Sequence, residues 1–340
     1  MKLIAYCTKG LEKVGALEIT TKFSDAKDLK ISDKRITFES EQSFSDLTKL
    51  RTIDDISLIV GEISNLLAIR EFDYVIDNIP FDYYFGLISK FRDINKTFSI
   101  TSSIVGLKKI TPEAIQTNLT LLILRKYNLE YTPLDHGNFD IRIFCDYGHT
   151  YLSIRITQNS LMKRYYKVES SEGSLRATIA ASMVIGCGQV TTKNRLLDLF
   201  CGSGTILCEA VSEGYEVYGS DINCEAVENS KKNMLNVKLS NGENIRQYDA
   251  TKTKWESNYF DFIVSNLPWD KQIKVERITD LYFESLREMQ RLLKKDGTIC
   301  VLVVKPELFI KQAKKVFKDK IITSHPIHLL GMSPSIIYIK

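Results

Sequence analysis

The second half of the chain contains the stretch Leu197-Asp198-Leu199-Phe200-Cys201-Gly202-Ser203-Gly204-Thr205-Ile206-Leu207, an apolar run that meets a helical pattern through two glycines. The pattern predicts a buried strand, a glycine-rich turn and a helix. Glycines let the backbone approach a ligand closely, and the first turn of a helix offers unpaired amides. A dinucleotide-binding turn would need a third glycine near Leu207, so a pyrophosphate is not the expected ligand. By itself, the stretch fits an ordinary strand-to-helix turn equally well.

Around this turn, strand-like apolar runs alternate with helical patterns from about residue 174 to residue 340. The predicted strands are Arg195–Phe200, Glu216–Ser220, Asn244–Tyr248, Phe260–Ser265 and Thr298–Val304, with two more near Ile321 and over Ser335–Ile339. The predicted helices cover residues 175–185, 205–213, 223–239, 278–293 and 306–317. Such alternation is typical of an α/β domain built on a mostly parallel sheet.

The first half of the chain has an α+β pattern instead. Short strands are predicted at Lys2–Thr8, Arg35–Glu39, Thr97–Thr101, Asp140–Cys145 and Tyr151–Thr157. A helix is predicted from Thr111, with Pro112 at its first position, to about Tyr127. A polar segment near residues 165–174 predicts the linker between the two halves.

Composition restricts the class of protein. A chain of 340 residues with 44% hydrophobic and 26% charged residues predicts a soluble globular protein of two or three domains. The net charge of +4 permits a nucleic-acid partner without requiring one. Seven cysteines without metal-ligand spacing predict a reducing cytoplasm and no metal site. The apolar runs are too short for a membrane span, and no secretion signal is expected.

Carboxylates follow two further predicted strands. Asp221 and Ile222 come at the end of the second strand, where an acidic side chain can accept both hydroxyls of a ribose. Asp249 and Ala250 follow the third strand, where a carboxylate can accept from an exocyclic amine. Asp221 could equally cap the next helix, and Asp249 could simply solvate a loop. Ligands bind outside the carboxyl ends of strands in open α/β sheets, so the pattern favours a binding crevice.

The fourth strand of the pattern ends in Ser265-Asn266-Leu267-Pro268-Trp269-Asp270. Asn or Asp, a small or apolar residue, Pro and an aromatic residue form the signature of S-adenosylmethionine-dependent methyltransferases that modify amino groups. Combined with the glycine turn, this segment resembles the RNA guanine-N2 methyltransferases that carry a THUMP domain, and most closely the tRNA guanine-6 N2-methyltransferases. The alternative is a proline-containing turn with a core tryptophan. Leu267 and Asp270 differ from the Pro and Gly of many family members, and we expect Asp270 to cap a helix or face solvent.

The resemblance implies a domain order and a cofactor. It implies a ferredoxin-like piece over residues 1–65, a THUMP RNA-binding domain over 66–160, a linker over 161–173 and a Rossmann-like methyltransferase domain with a seven-stranded, mostly parallel sheet over 174–340. The cofactor is expected to be S-adenosyl-L-methionine. Its predicted binding residues are Asp198, Phe200, Cys201, Gly202, Ser203, Gly204, Thr205, Asp221, Ile222, Asp249, Ala250 and Asn266.

The predicted catalytic residues are Asn266, Leu267, Pro268 and Trp269. The Asn266 side-chain oxygen and the Leu267 carbonyl can hold the hydrogens of a guanine amine and direct its lone pair toward the methyl group. Pro268 stiffens the turn, and Trp269 can stack on a base swung out of its helix. No covalent nucleophile is needed.

Basic residues provide candidate phosphate contacts. Those predicted to bind RNA are Lys108, Lys109, Lys163, Arg164 and Lys167. Charge runs of this kind are more often solvated faces, and it is the THUMP resemblance that favours RNA.

The resulting hypothesis is a cytoplasmic, monomeric tRNA methyltransferase that modifies N2 of guanine, with position 6 of the acceptor stem as the expected target. Guanine 10 of tRNA and a ribosomal RNA guanine are the alternative targets. Protein-glutamine and DNA-adenine methyltransferases share the Asn-x-Pro-aromatic turn, but the THUMP-like half argues against both. An alternative of another class is a noncatalytic RNA-binding or partner-activating subunit.

Overall fold

The computed structural model describes residues 1–107, 109–133, 139–169, 174–188, 194–237, 242–269, 278–329 and 331–340. It divides into two compact units. The first unit comprises Met1–Tyr6, Ile19–Leu50 and Asp54–Leu161, and the second comprises Cys7–Glu18, Arg51–Ile53 and Met162–Lys340.

The first unit is built on one eight-stranded sheet. Its strands are β1 (Lys2–Tyr6), β2 (Lys27–Ser32), β3 (Arg35–Glu39), β4 (Asp55–Ile63), β5 (Thr97–Val105), β6 (Glu130–Tyr131), β7 (Phe139–Asp146) and β8 (His149–Arg155). Their order across the sheet is β2-β3-β1-β4-β8-β7-β5-β6. The helices of this half of the chain are α1 (Glu12–Lys22), α2 (Phe44–Leu47), α3 (Glu71–Asn78), α4 (Phe81–Ser89) and α5 (Pro112–Lys126).

Local sequence explains the start of α5. Thr111 adopts an extended conformation, and its side chain accepts from the Ala114 N–H at 3.2 Å, as expected of an N-cap. Pro112 occupies the first turn, where its missing N–H costs no hydrogen bond. The helix buries Ile115, Leu119 and Ile123, a spacing that places one apolar stripe against the sheet.

Buried ion pairs cross the centre of the first sheet. Asp55 of β4 accepts from Arg155 of β8 at 2.8 Å and from Arg142 of β7 at 3.1 Å, and Arg142 also pairs with Asp140 at 2.9 Å. These charges are desolvated but mutually paired, as buried charges must be.

The predicted boundary between residues 65 and 66 does not separate two sheets. β4 pairs with β1 on one side and with β8 on the other, so strands from residues 1–65 and from residues 66–160 form one continuous sheet. The compact unit ends at Leu161, next to the predicted boundary at residue 160. Residues 162–169 of the predicted linker belong to the second unit. The ferredoxin-like and THUMP designations stay predictions.

The second unit contains a seven-stranded sheet with helices on both faces. Its strands are β9 (Arg195–Asp198), β10 (Glu216–Asp221), β11 (Ile245–Gln247), β12 (Phe260–Asn266), β13 (Leu293–Val303), β14 (Ile322–Pro326) and β15 (Ser335–Ile339). Its helices are α6 (Ala177–Gly186), α7 (Thr205–Ser212), α8 (Cys224–Val237), α9 (Ile278–Leu292) and α10 (Pro306–Val316).

The strand order of the second sheet is β11-β10-β9-β12-β13-β15-β14. All neighbours up to β13 are parallel, and β15 pairs antiparallel with both β13 and β14. Buried residues of α6, α7 and α8 pack on one face of the sheet, whereas those of α9 and α10 pack on the other. The predicted α/β class with a seven-stranded, mostly parallel sheet is thereby confirmed.

Candidate active site

A cavity of 610 Å³ opens at the carboxyl ends of β9, β10 and β12. Parallel strands bring these ends to the same edge of the sheet, next to the point where the strand order reverses. The lining residues are Ser174, Leu175, Asp198, Leu199, Phe200, Cys201, Gly202, Ser203, Thr205, Ile206, Asp221, Ile222, Asn223, Ala226, Asp249, Ala250, Asn266, Leu267, Pro268, Trp269 and Leu281. This set includes the predicted catalytic residues and every predicted cofactor residue except Gly204.

The two glycines of the turn differ in their surroundings. Both have positive φ angles, 51° at Gly202 and 79° at Gly204, which other residues rarely adopt. A Cβ atom at Gly202 would meet nothing within 4 Å, so the backbone here faces open space in the cavity wall. A Cβ at Gly204 would collide with Ser230 Oγ and lie 3.1 Å from Ser230 Cβ. Gly204 therefore allows α7 and α8 to pack closely, while the backbone of Gly202 is open to the cavity.

Asp198 is a buried carboxyl in the wall of the cavity. Its side chain accepts from the Phe200 N–H at 3.1 Å, and the residue is 1% exposed. Burial raises the pKa of Asp198 to about 7, against the opposing hydrogen bonds from Ser265 and Phe200. Burial likewise raises the pKa of the Cys201 thiol well above its usual value. A raised pKa disfavours the thiolate form, so nothing in this environment activates the Cys201 thiol as a nucleophile.

Asp221 is held by two backbone amides. Gly202 N–H donates to Oδ2 at 2.9 Å, and Asn223 N–H donates to Oδ1 at 3.0 Å. Each carboxylate oxygen has a second lone pair, so both can still accept from a ligand. The Glu225 amide of α8 is capped by Asn223 Oδ1 at 2.9 Å, so the capping contact of this helix comes from Asn223. Ile222, beside it in the wall, is 68% exposed.

Asp249 lies on an exposed turn at the cavity. Its Oδ1 accepts from the backbone N–H and the hydroxyl of Thr251, at 2.9 and 2.8 Å. These contacts orient the carboxylate and leave acceptor capacity for a ligand. Ala250 is buried beside it and offers no polar side chain.

The segment from Asn266 to Trp269 forms the wall at the end of β12. Asn266 pairs with Leu302 of β13, and the Leu267 N–H donates to the Leu302 carbonyl at 3.0 Å, which fixes the backbone. The Trp269 indole N–H donates to Asn266 Oδ1 at 3.1 Å. Trp269 is 5% exposed and packs in the core, so most of its ring faces protein and not the open cavity. The predicted neighbour Asp270 lies outside the described residues.

Polar residues that the sequence did not single out support the turn. Asn233 of α8 is 1% exposed, and its Nδ2 donates to the carbonyls of Ser203 and Glu169 at 2.8 and 2.9 Å. Its Oδ1 accepts from the amides of Val168 and Glu169, both at 3.0 Å. Ser174 lines the cavity and lies 3.0 Å from Ser203, oxygen to oxygen. These contacts tie Val168, Glu169 and Ser174 to the glycine turn. The sequence did not indicate them, because a polar residue on a helix is ordinarily solvated.

The structure does not support a phosphate contact for Arg164 or Lys167. Arg164 donates to Glu209 at 3.0 Å and to the Arg51 carbonyl at 2.7 Å, and its side chain is 9% exposed. Lys167 donates to the Leu175 carbonyl at 2.7 Å, and burial lowers its pKa. Both side chains therefore donate hydrogen bonds to partners within the protein. Lys109 and Lys163 are exposed, as RNA contacts require, whereas Lys108 lies outside the described residues.

The partner of Arg164 is a fully buried glutamate on α7. Glu209 also accepts from Arg51 Nε at 2.5 Å and from the Tyr166 hydroxyl at 2.5 Å. Burial, followed by the charge of Glu209, raises the pKa of Tyr166, so this hydroxyl stays protonated and donates. The cluster secures the helix that begins at the glycine turn.

Among the residues that the structure describes, no group of three or more His, Cys, Asp or Glu side chains is placed to hold a metal ion. No helix there has the length and apolar character to cross a membrane.

The sheet order, the cavity and a family match together define the second unit as a Rossmann-like methyltransferase domain. Residues 164–329 match the UPF0020 family model, described as an RMKL-like methyltransferase domain. The chain is 26% identical over 213 residues to a Bos taurus protein named U6 snRNA (guanine-N(2))-methyltransferase THUMPD2, a match that covers 62% of this chain. The chain spans only 41% of the length of that relative.

Two further similarities extend over most of the chain. A Methanocaldococcus jannaschii protein named tRNA (guanine(6)-N2)-methyltransferase is 23% identical over 351 aligned positions, covering 88% of this chain and 90% of the relative. The crystal structure of TrmN from Thermus thermophilus superposes with a TM-score of 0.86 at 19% identity, covering 100% of this chain and 99% of that one. At this identity the structural match establishes the fold.

Proposed function

We propose that the chain is an RNA methyltransferase that uses S-adenosyl-L-methionine to methylate N2 of guanine, with guanine 6 in the acceptor stem of tRNA as its target. The observation that carries this proposal is the position of Asn266 and Leu267 in the wall of the same cavity that the glycine turn and three carboxylates line. The similarity to the guanine-6 enzyme, which runs through both halves, supports the choice of position 6.

The cavity fits the cofactor in size and chemistry. The open backbone at Gly202 provides a cradle that a Cβ would fill, and the start of α7 lies beside it. Asp221 has acceptor capacity for ribose hydroxyls, and Asp249 has it for an amine. When bound, S-adenosylmethionine supplies an electrophilic methyl group on a positively charged sulfur. Carboxylates in the wall would favour the binding of that positive charge.

The residues of the chain orient the guanine nitrogen and exclude water. The exocyclic nitrogen of guanine is a poor nucleophile, because its lone pair is delocalised into the ring. Asn266 Oδ1 and the Leu267 carbonyl each accept a hydrogen bond from one N–H of this amine, which orients the lone pair toward the methyl group. The buried wall at Leu267 and Trp269 excludes water from this site.

The first unit serves, in this proposal, as the THUMP-containing RNA-binding half, and the chain works in the cytoplasm as a monomer. The proposed phosphate contacts are the exposed Lys109 of the first unit and the exposed Lys163 at the start of the second unit's main segment. All seven cysteines are free thiols, which fits a reducing compartment.

Methyl incorporation into tRNA transcripts tests the proposed target. A transcript with guanine 6 replaced by adenine, and its pairing partner changed to match, should accept no methyl group, while the same exchange at position 10 should leave incorporation unchanged. The reverse pattern would move the target to guanine 10. Equal incorporation into all three transcripts would place the target elsewhere.

A further inference from the structure

The indole edge of Trp269 makes a directed contact with the amide of Asn266. The hydrogen bond from Nε1 to Oδ1 is 3.1 Å long. Both of its ends are anchored, because Trp269 is buried as part of a hydrophobic core cluster and the backbone beside Asn266 is bonded to β13. The contact is therefore a fixed part of the cavity wall.

This contact distinguishes the two ends of the amide. An indole N–H only donates, whereas a side-chain amide has an accepting oxygen and a donating nitrogen. Rotating the Asn266 amide by half a turn would place two donors against each other. The indole therefore holds Oδ1 in one position, and the second lone pair of that oxygen stays available to accept from a substrate amine.

A role in base stacking alone would need only the face of an aromatic ring, which phenylalanine also provides. Trp269 presents its N–H edge to Asn266 and is 5% exposed, so little of its face meets the cavity. We infer that Trp269 is a positioning residue, which orients the Asn266 amide through its indole N–H so that Oδ1 can accept from the guanine amine. The inference rests on the proposed function, since it assumes that Asn266 contacts the reacting group.

Two substitutions at position 269 separate the N–H from the ring. Trp269→Phe removes the donor and replaces the indole with a smaller phenyl ring. Substitution with 3-benzothienylalanine keeps the shape of tryptophan and replaces N–H with sulfur. Loss of one hydrogen bond predicts that kcat for tRNA methylation falls about 3- to 10-fold in both variants. The KM for tRNA and the Kd for S-adenosylmethionine should stay within about 2-fold of wild type, because neither involves this contact.

The second tryptophan of the chain provides the matched control. Among the described residues, Trp255 Nε1 is buried without a hydrogen-bond partner, and Trp255 lies outside the cavity wall. Trp255→Phe should therefore retain the wild-type kcat.

The outcomes separate this inference from the proposed function. A benzothienylalanine variant with wild-type kcat, or one that changes only the KM for tRNA, would overturn the positioning role while the enzyme activity stands. A wild-type protein that transfers no methyl group to guanine would overturn the proposed function and the inference with it.

Discussion

The backbone N–H of Gly202 donates to Oδ2 of Asp221 across 2.9 Å, which joins the glycine turn after β9 to the end of β10. The other oxygen of Asp221 accepts from the Asn223 amide, so the carboxylate is held from both sides. Gly202 and Asp221, which separate sequence motifs predicted as ligand-binding residues, are thus hydrogen-bonded to each other in the cavity wall.

Replacing Asp221 with Asn should weaken cofactor binding. Gly202 and Asn223 donate to different oxygens of Asp221, so in an asparagine one of these two N–H groups would face the side-chain NH2, and the negative charge is lost. Loss of a charge-assisted hydrogen bond corresponds to a rise of about 10- to 100-fold in the Kd for S-adenosylmethionine, measured by calorimetry. Asp249→Asn is the comparison, because it keeps the Oδ1 acceptor for Thr251 and should raise the Kd less. A larger effect at Asp249 would contradict this assignment.

The two glycines of the turn should respond differently to alanine. Gly204→Ala adds a Cβ against Ser230 at a positive φ, so we expect the free energy of unfolding to fall by about 2–4 kcal/mol. Gly202→Ala adds only the backbone strain, about 1–2 kcal/mol, but its Cβ enters open space in the cavity wall and should lower cofactor affinity more than stability. Urea unfolding and calorimetry of both variants test this, and equal losses of stability would count against it.

The buried Glu209 cluster predicts opposite roles for two adjacent basic residues. Arg164→Ala leaves a buried carboxylate with fewer donors, and breaking such a pair costs about 3–5 kcal/mol of stability. The exposed neighbour Lys163 should behave differently. Lys163→Ala should change stability by less than about 0.5 kcal/mol, yet weaken tRNA binding and reduce its dependence on salt concentration.

Thermal unfolding and salt titrations of tRNA binding distinguish the two variants. An Arg164→Ala protein that is as stable as wild type but binds tRNA poorly would restore the phosphate contact expected from the sequence.

Asp198 predicts a pH dependence of stability. The native carboxyl keeps its proton up to about pH 7, whereas in the unfolded chain it ionises near its ordinary pKa of about 4. Between these values the native state binds the extra proton, so this group's contribution to the free energy of unfolding falls as pH rises from 4 to 7 and is constant above 7. Asp198→Asn removes this contribution.

The difference in stability between wild type and Asp198→Asn, followed by urea unfolding across pH 4.5–8, is the relevant measurement. Wild type should lose stability relative to the variant as pH rises, by an amount on the order of a few kcal/mol over the whole window. A difference that does not change with pH would show that Asp198 is ionised throughout.

The second unit could be predicted from sequence almost element by element. Buried parallel strands such as Phe260–Asn266 are continuous apolar runs, and the helices between them have clear apolar faces. The error at β13, which begins at Leu293 and not at Thr298, arises because Lys294, Lys295 and Asp296 mask the start of the strand. In the first unit, β4 was missed although it lies at the centre of the sheet, and its pairing with β8 joins residues about a hundred positions apart.

The site was less fully predictable, for a physical reason. Residues at strand ends, such as Asp221 and Asn266, can be identified from the sequence because each comes at the end of an apolar run that predicts a strand. Arg164 appeared to be a surface charge because its partner Glu209 is 45 positions away. Asn233 and Ser230 are polar residues on a helix and gave no sequence signal of a buried role, and it is the packing of α8 against the glycine turn that buries them. Sequence periodicity cannot show such polar contacts between elements.

Nucleoside mass spectrometry of unmodified tRNA, incubated with S-adenosylmethionine and either the wild-type protein or Asn266→Ala, tests the proposed methyl transfer to guanine N2. We expect N2-methylguanosine with the wild-type protein, and a loss of at least about 100-fold in the variant while its Kd for S-adenosylmethionine stays near wild type. Unmodified tRNA after incubation with a wild-type protein that binds both tRNA and S-adenosylmethionine would contradict it, as would methylation at any atom other than guanine N2.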